Sequence, residues 1–276
     1  MVAYKGRECY LKFQPIAPVD TLMNCDTGQI SGAEALVRCR DSTTGEEVYP
    51  NDFLPEIRER GYMGELTRWA IRLTADHLKE TGGSIPLSVN IDTPQLNVLT
   101  LVCLLWCVPV RLRGGFTVEI TESHKLTLCQ KLVIICISLA NFHCAIDDCL
   151  TGKSTMVRVV WFLKYLPGEL TIKFDRGHIN RKHFQGEPGE WISLQPLVGA
   201  FCGCLESRSR RSGGVSFVFE GVEDIGQLFK AERAHELAKK YGITCYCQGY
   251  ILGQAMPFSS LVELKEAFDL RRQVLN

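Results

Sequence analysis

The most constraining feature of this sequence is a series of short apolar runs that each end in carboxylate, amide or ammonium side chains. Six runs follow this pattern, and the polar residues at their ends are Asn90, Glu119 and Glu122, Asp147 and Asp148, Lys173 and Asp175, Glu220, and Gln248. Short apolar runs that are rich in β-branched residues are typical of buried strands. The sequence therefore predicts a set of strands with polar side chains at their ends.

Segments with a helical spacing of apolar residues separate these runs. The stretch 64–79, for example, repeats apolar residues at Leu66, Trp69, Ala70 and Leu73. Strands that alternate with helices are parallel and are joined by helical crossovers. In a closed barrel of this kind, functional groups gather where the strands end at their carboxyl side. We therefore expect a barrel organised around one ring of acidic and amide side chains with one lysine.

Both ends of the chain carry weaker signals. Residues 10–16 alternate and then meet Pro15, which predicts a short first strand that ends there. Residues 30–38 predict a second strand with Glu34, Leu36 and Arg38 on one face. Residues 260–263 form a capping-box pattern that predicts the start of the last helix.

Length and composition agree with a single domain over residues 1–276. Barrels of alternating strands and helices reach ~250 residues as one unit, and the apolar content of 46% supports a large core. Lys and Arg number 31, as do Asp and Glu, so no global positive field favours DNA, RNA or an acidic membrane. The motif-bearing core covers about residues 10–256.

Cysteine usage indicates a reducing compartment. The chain has 13 cysteines and no signal peptide, which predicts reduced thiols in the cytoplasm, and the odd count argues against a complete disulfide framework. Two close pairs, Cys202 with Cys204 and Cys245 with Cys247, leave a thiolate metal site open. Their one-residue spacing is shorter than zinc sites usually use.

The longest apolar stretch, residues 98–110, is shorter than the ~18 to 20 residues that a membrane span needs. It predicts a buried helix, and no membrane partner is expected.

The ring of strand-end residues has the donor chemistry of a hard-metal site. Glu34, Asn90, Glu119 and Asp147 offer oxygen ligands, which suit Mg²⁺ or Mn²⁺ better than zinc or copper. Asp148 adjoins Asp147, so neighbouring carboxylates can serve two ions about 3.5 to 4 Å apart. Such a pair of ions activates a water and stabilises the oxygens of an in-line phosphoryl displacement.

Two cationic residues complement that chemistry. Lys173 adds fixed positive charge where phosphate charge develops, and Arg38 can fork onto a non-bridging phosphate oxygen. These residues together predict metal-assisted phosphodiester hydrolysis. Glu122 is either a partner of a metal ligand or an N-terminal charge for the next helix. Asp175 either orients Lys173 or has no role.

These residues form motifs that resemble the EAL domain, the cyclic di-GMP phosphodiesterase of bacteria. The resemblance runs from residues 13–16 to residues 248–250, which is nearly the whole chain. Residues 34–38, Glu-Ala-Leu-Val-Arg, look like the signature that names the family. The other motifs follow in the family's order: Ser88-Val89-Asn90, Glu119-Ile120-Thr121-Glu122, Asp147-Asp148, Lys173-Phe174-Asp175, Glu220-Gly221-Val222-Glu223 and Gln248-Gly249.

The resemblance implies an α/β fold, a TIM-like (βα)8 barrel whose first strand is antiparallel to the rest. It also implies the reaction, hydrolysis of cyclic di-GMP to linear pGpG with Mg²⁺ or Mn²⁺ at a two-metal site, in bacterial second-messenger signalling. Cyclic di-GMP is then the ligand, and a homodimer is a candidate assembly.

The resemblance also implies roles for single residues. The metal ligands would be Glu34, Asn90, Glu119, Asp147 and, on the second ion, Asp148. The residues that act on the chemical step would be Lys173 at the attacking water or phosphate, Glu220 as base or metal partner, and Asp148. The substrate would contact Gln14, Leu36, Arg38 and Gln248, and the supporting acids would be Glu122, Asp175 and Glu223.

The loop after the paired aspartates departs from the family. The family usually reads Asp-Asp-Phe-Gly-Thr-Gly there, and this chain has Cys149 and Leu150 in place of the aromatic residue and the first glycine. In the family this loop is tied to metal binding and to the dimer contact, so reduced activity is expected. Two alternatives to an active phosphodiesterase stay open. One is a weak or silent relative that binds cyclic di-GMP or a protein, and the other is a barrel enzyme for another phosphodiester.

Overall fold

The computed structural model describes residues 3–4, 7–23, 29–121, 124–147, 149, 156–180, 194–205 and 214–275. Its ten strands are β1 (Ala3–Tyr4), β2 (Arg7–Pro18), β3 (Gly32–Asp41), β4 (Glu47–Val48), β5 (Leu87–Asp92), β6 (Phe116–Thr121), β7 (His143–Ile146), β8 (Leu170–Phe174), β9 (Val215–Glu220) and β10 (Thr244–Gln248). Its helices are α1 (Val19–Met23), α2 (Pro50–Glu59), α3 (Met63–Glu80), α4 (Val98–Cys107), α5 (Leu128–Leu139), α6 (Met156–Tyr165), α7 (Arg176–Asn180), α8 (Leu194–Leu205), α9 (Ile225–Lys239) and α10 (Phe258–Leu275). Two 3₁₀ helices cover Thr93–Gln95 and Val110–Gly115.

Eight of the strands close into a barrel, because β2 pairs with both β3 and β10. The barrel strands β3 and β5 to β10 run parallel to one another, whereas β2 is antiparallel to its two neighbours in the barrel. The short strands β1 and β4 extend the pairing outside the barrel. The prediction of a (βα)8-type barrel with an antiparallel first strand is confirmed.

The first barrel strand is longer than its proline predicts. β2 passes through Pro15 and ends at Pro18, so the prediction of a strand that stops at Pro15 is wrong. Alternate residues of a strand present their amides to the same side, which places Pro15 on the side where Phe13 donates to the carbonyl of Met256 (2.7 Å). On that side the pairing with β10 begins only at Ile16, opposite Gln248. A missing amide is tolerated at Pro15 because the neighbouring strand has already ended.

The main core lies between the barrel and the surrounding helices. Ile172 and Phe174 point outward from β8 and are fully buried, and the ring of Phe174 meets the rings of Phe201 on α8 and Phe217 on β9 at 5.5 and 5.2 Å. Alternation then points Lys173, between the two, into the barrel. The same alternation in the other strands sends apolar side chains outward and polar strand-end side chains inward.

Two sequence expectations about helices are wrong. The last helix begins at Phe258 rather than at Ser260, because the carbonyl of Pro257 already accepts a helical hydrogen bond from Leu261. The apolar stretch that predicts a buried helix forms α4, whose outward face is in solvent: Trp106 is 89% exposed and Val98 65%. The amino-acid composition of an apolar stretch does not show which side of the helix faces the barrel and which side faces solvent.

The link between the ends of β9 and β10 depends on one glycine. Gly249 has a φ of +156°, and a Cβ atom at this position would lie 2.2 Å from the carbonyl oxygen of Val222. The amide of Val222 donates to the carbonyl of Gln248 (3.1 Å), so this close approach holds the two strand ends together.

We expect Gly249→Ala to lower the free energy of unfolding by at least about 2 kcal/mol more than Gly45→Ala, because it adds a backbone clash to the strain of positive φ. Gly45 has a φ of +73°, and a Cβ atom there would meet no other atom within 4 Å, so Gly45→Ala isolates the conformational term. Urea unfolding of both variants gives the comparison. Equal losses would show that the contact with Val222 is not what requires glycine.

Candidate active site

Strand register brings the polar strand-end residues to one level of the barrel. Asn90 lies opposite Glu119 in the pairing of β5 with β6, and Gln248 lies opposite Glu220 in the pairing of β10 with β9. On the other side of the barrel Glu34 lies opposite Gln14. Side chains from strands that are distant in the sequence therefore meet in one layer.

Lys173 lies at the centre of this layer and is 1% exposed. Its Nζ atom lies close to carboxylate oxygens on or next to four other strands: Glu220 at 2.6 Å, Glu119 at 2.7 Å, Glu34 at 3.0 Å and Asp147 at 3.6 Å. One buried ammonium group thus forms ion pairs with four acidic side chains.

Two amide side chains hold Glu34 from the other side. Asn90 Nδ2 donates to one carboxylate oxygen and Gln248 Nε2 to the other, both at 2.5 Å, and Gln248 Nε2 also approaches Gln14 Oε1 at 3.3 Å. The amide oxygens of Asn90 and Gln248 are themselves buried and have no hydrogen-bond partner among the residues that the structure describes. A buried polar atom in that state is a place where a ligand, ion or water is accommodated.

Burial and charge act in opposite directions on the acids of the cluster. Burial by itself raises the pKa of Glu34, but the charge of Lys173 and the hydrogen bonds from Gln248, Lys173 and Asn90 outweigh it, so the pKa of Glu34 lies below its usual range. Burial and the neighbouring charge of Glu34 raise the pKa of Glu119 to about 8, against the opposing effect of Lys173. Near neutral pH, Glu119 therefore holds a proton and Glu34 is ionised.

The other two partners show the same competition. Burial raises the pKa of Glu220 well above its usual range, although Lys173 opposes the shift. Burial lowers the pKa of Lys173, but the charges of Glu119, Glu220, Glu34 and Asp147 together raise it well above its usual range. Lys173 is therefore a permanent cation, and the four acids carry more negative charge than it can balance.

One cavity, with Glu119 and Lys173 in its lining, borders the cluster toward the amino ends of the strands, and two further cavities flank the cluster elsewhere. The first of these two has a volume of about 260 Å³ and is lined on the barrel side by Leu36, Asn90, Asp92 and Asp147, with α2 and α3 on the other side. The second has a volume of about 240 Å³ and lies over the opposite half of the cluster, with Gln14, Glu34, Asp175, Glu220, Gln248 and Tyr250 among its lining residues. The cluster thus lies between these two cavities.

Arg38 is not brought into the cluster. Its Nη1 atom donates to the carbonyl of Val37 at 2.9 Å, its Nε atom lies 3.7 Å from Glu47, and its guanidinium stacks 5.7 Å from the ring centre of Tyr49. β3 contributes Glu34 to the cluster, and Arg38 lies four residues further along the strand. The phosphate contact of Arg38 stays a prediction.

The supporting acids are also held by residues other than Lys173. Asp175 accepts a hydrogen bond from the amide of Gly177 (2.6 Å) at the start of α7, and Glu223 pairs with Arg176 at 2.7 Å. Both acids line the second cavity. Glu122 and Asp148 lie outside the described residues, so their expected roles stay predictions.

Sequence reasoning missed two features of the site. Asp92 is 9% exposed, pairs with Arg58 at 3.2 Å and lines the first cavity. Its position two residues after Asn90 could have revealed it, but the strand was expected to stop at Asn90. The other feature is His178, whose Nε2 atom lies 3.1 Å from the carbonyl oxygen of Cys149, while the amide of Cys149 donates to the carbonyl of Lys173. The root of the altered loop is therefore tied to β8.

The alternative of a thiolate metal site gains no support. Burial raises the pKa of Cys245 and raises that of Cys247 to about 12, so both thiols are protonated near neutral pH. A metal needs the thiolate form. Cys202 is buried, and burial raises the pKa of its thiol too.

A hard divalent metal fits the donor chemistry of the ring. Carboxylates of Glu34, Glu119 and Asp147 and the buried amide oxygen of Asn90 supply oxygen donors, and the excess negative charge of the carboxylates calls for further cations. Within the described part of the chain, no three acidic, histidine or cysteine side chains are arranged as a formed metal site. The ammonium group of Lys173 lies among the carboxylates instead.

A closed (βα)8 barrel with a buried acidic cluster at the carboxyl ends of its strands defines the class of this protein. The EAL domain model matches residues 1–255, so the chain belongs to the EAL domain family. The biofilm architecture maintenance protein MbaA of Vibrio cholerae is 23% identical over 266 residues, which cover 92% of this chain and 29% of that protein. This chain therefore spans less than a third of that relative.

Solved structures show the same fold at low sequence identity. The PaMucR phosphodiesterase in complex with c-di-GMP has a TM-score of 0.68 at 23% identity, with 92% of this chain and 94% of that chain covered. The YkuI protein of Bacillus subtilis, which has an EAL domain, in complex with c-di-GMP and calcium, has a TM-score of 0.62 at 17% identity, with 96% and 62% covered.

We expect Lys173→Met to lower the free energy of unfolding of the metal-free protein by roughly 3 to 5 kcal/mol, because it leaves buried carboxylates without their cation. Lys12→Met is the matched control: it removes a half-exposed pair with Glu47 (2.5 Å) and should cost at most about 1 kcal/mol. Urea unfolding in a chelator measures both.

The deficit of Lys173→Met should also depend on pH. Loss of the cation raises the pKa of the surrounding carboxyls in the folded state. A carboxyl with a raised folded-state pKa lowers the free energy of unfolding as the pH rises from its unfolded-state pKa towards its folded-state pKa. The deficit should therefore be smaller at about pH 5 than at about pH 8. A deficit no larger than that of Lys12→Met at either pH would contradict the central role of Lys173.

Proposed function

We propose that this protein hydrolyses cyclic di-GMP to linear pGpG with Mg²⁺ or Mn²⁺. The observation that carries the proposal is the buried cluster at the carboxyl ends of the barrel strands, where Lys173 lies within 3.6 Å of four acidic side chains. Membership of the EAL family and the c-di-GMP complexes of structural relatives support it. The proposal includes a single domain over residues 1–276 and a homodimer as its assembly.

The metal would be held by Glu34, Asn90, Glu119 and Asp147, with Asp148 on a second ion. The metal supplies a water of lowered pKa and charge stabilisation at the phosphoryl oxygens. The chain's own contribution is to hold these oxygen donors at fixed positions on neighbouring strand ends, which reduces the reorganisation needed during reaction.

Lys173 and Glu220 would act on the chemical step. Lys173 is a permanent cation in a site shielded from water, where a fixed charge stabilises developing phosphate charge far better than it would in solvent. Glu220 lies 2.6 Å from Lys173, beside the proposed metal ligands, where its ionised carboxylate would accept a proton. Glu220 is therefore the residue that we assign to receive a proton from the attacking water.

The substrate would lie across the cluster with one base on each side. The two cavities of about 260 and 240 Å³ occupy such positions, the first with Leu36 in its wall and the second with Gln14 and Gln248. Arg38 would contact a phosphate, which requires its guanidinium to turn away from Glu47. Glu122, Asp175 and Glu223 would support the site without contacting the substrate.

A weak or silent cyclic di-GMP-binding module is the second candidate. The observation that favours it is that Lys173 already pairs with Glu34, Glu119 and Asp147, so a metal has to compete for its ligands. The altered loop at Cys149 and Leu150 favours it as well, because Asp148 stands beside this loop in the sequence.

The first test is turnover. Purified protein with cyclic di-GMP and Mn²⁺ should release pGpG, a chelator should abolish the release, and Glu34→Ala should lower it by more than about 100-fold, because a metal ligand is lost. Glu47→Ala, which removes a carboxylate at the barrel rim, should retain activity. Full activity of Glu34→Ala would overturn the assignment. No pGpG from the parent protein, combined with tight binding of cyclic di-GMP, would favour the silent module.

The second test is binding without turnover. In Ca²⁺, which keeps oxygen ligands but activates water poorly, Arg38→Ala should weaken cyclic di-GMP binding by roughly tenfold, because a charge-assisted phosphate contact is lost. Arg40→Ala removes an exposed arginine that stacks on Tyr10 (5.4 Å) and should leave the affinity unchanged. Calorimetric titration gives both constants. Unchanged affinity in Arg38→Ala would show that Arg38 stays with Glu47 in the complex.

A further inference from the structure

Three neighbouring crossover helices present apolar side chains to solvent. The outward faces of α4, α5 and α6 carry Val98, Leu99, Val102, Leu105, Trp106, Leu128, Leu132, Leu139, Val160 and Tyr165, all of them exposed. We call this surface the apolar flank. Scattered exposed apolar residues are normal on a protein, but a contiguous patch indicates an interaction site.

The three helices form one continuous surface. They follow the successive strands β5, β6 and β7, so they lie side by side around the barrel. Lys131 on α5 lies 5.3 Å from the ring centre of Trp161 on α6, which joins these two helices directly. Trp106 is 89% exposed at the end of α4. A tryptophan in that position exposes a large apolar area that only a partner would cover.

The charged side chains on the three helices of the apolar flank are all basic, although the connections around them also contain the acids Glu122 and Glu169. The sequences of α4, α5 and α6 contain no aspartate or glutamate. Lys164 on α6 and Arg111 and Lys125 in the flanking connections are exposed, and Lys131 is half-exposed. The whole chain has a formal net charge of zero, so the positive charge on this sector is balanced by an excess of negative charge on the rest of the chain.

We infer that the apolar flank docks on the surface of an anionic phospholipid bilayer. Leucine, valine and tryptophan would enter the boundary between headgroups and acyl chains, and the lysines and arginines would face the lipid phosphates. Trp106 and Tyr165 are the residue types that prefer this boundary, since each has an apolar body and a polar edge.

Two other ways of covering the flank fit less well. A second copy in a two-fold contact would bring the same lysines and arginines against each other, which opposes association. A membrane crossing is not available either, because no helix among the residues that the structure describes has the length and apolarity for one. The lipid surface is the occupant whose charge complements the flank.

Docking in this orientation leaves the cluster accessible. The helices run along the side of the barrel, whereas Lys173 and its carboxylates lie at the carboxyl end of the strands. A bilayer against the side therefore does not cover the two cavities that flank the cluster. This inference does not depend on the proposed phosphodiesterase reaction.

Co-sedimentation with vesicles tests the inference. The full chain should bind vesicles made of equal parts phosphatidylglycerol and phosphatidylcholine, bind vesicles of phosphatidylcholine alone much more weakly, and lose binding as salt is raised. Trp106→Glu and Leu132→Glu should each weaken binding to the anionic vesicles by at least about tenfold, because an inserted apolar side chain is lost. Lys125→Glu should weaken it by about fivefold or more.

Phe229→Glu is the matched control, because Phe229 is 50% exposed on α9, away from the flank. It should bind anionic vesicles as the parent does, and thermal melting of every variant excludes loss of the fold. Absence of binding to anionic vesicles, equal binding to both vesicle types, or binding that Trp106→Glu and Leu132→Glu leave intact would each overturn the inference. A dimer in sedimentation velocity that Trp106→Glu dissociates, without vesicle binding, would assign the flank to a second copy instead.

Discussion

Lys173 holds its ammonium group among carboxylates from residues on or next to four other strands, in a position with almost no access to water. A buried charge is strongly unfavourable unless it is paired, so each acid and the lysine depend on the others being in place. The pairing works only if β3, β6, β7, β8 and β9 keep a common register, which the closed barrel imposes. The antiparallel first strand completes that closure, and close contacts such as the one at Gly249 hold the strand ends.

The charge of the same cluster also determines which protons or ions the site can hold. Four acids against one cation leave negative charge that protons or metal ions must balance, which is why burial and neighbouring charge raise the pKa of Glu119 to about 8. Any metal that enters competes with Lys173 for Glu34 and Glu119. The altered loop bears on that competition, because the amide of Cys149 donates to the carbonyl of Lys173 itself. The position of Lys173 is therefore tied to this loop through β8.

Charge balance over the whole chain hides an uneven surface. The equal numbers of acidic and basic residues predict no attraction to anionic surfaces, yet the helices on one side of the barrel contain cations and no acids. Those helices follow one another in the sequence, so their apolar and basic residues collect on one flank. Whole-chain composition averages over such a segregation, and only the arrangement of helices around the barrel reveals it.

The alternation of side chains along each strand determined which residues point into the barrel, and so the sequence alone predicted the closed fold and the meeting of Glu34, Glu119 and Lys173. Short-range patterns carry that information because a strand repeats every two residues. The tertiary structure decided what each group contacts: Arg38 pairs with Glu47, Asp175 accepts a hydrogen bond at the start of α7, and the outer face of α4 is in solvent. Those outcomes depend on neighbours that are distant in the chain, and the passage of β2 through Pro15 depends likewise on where β10 ends.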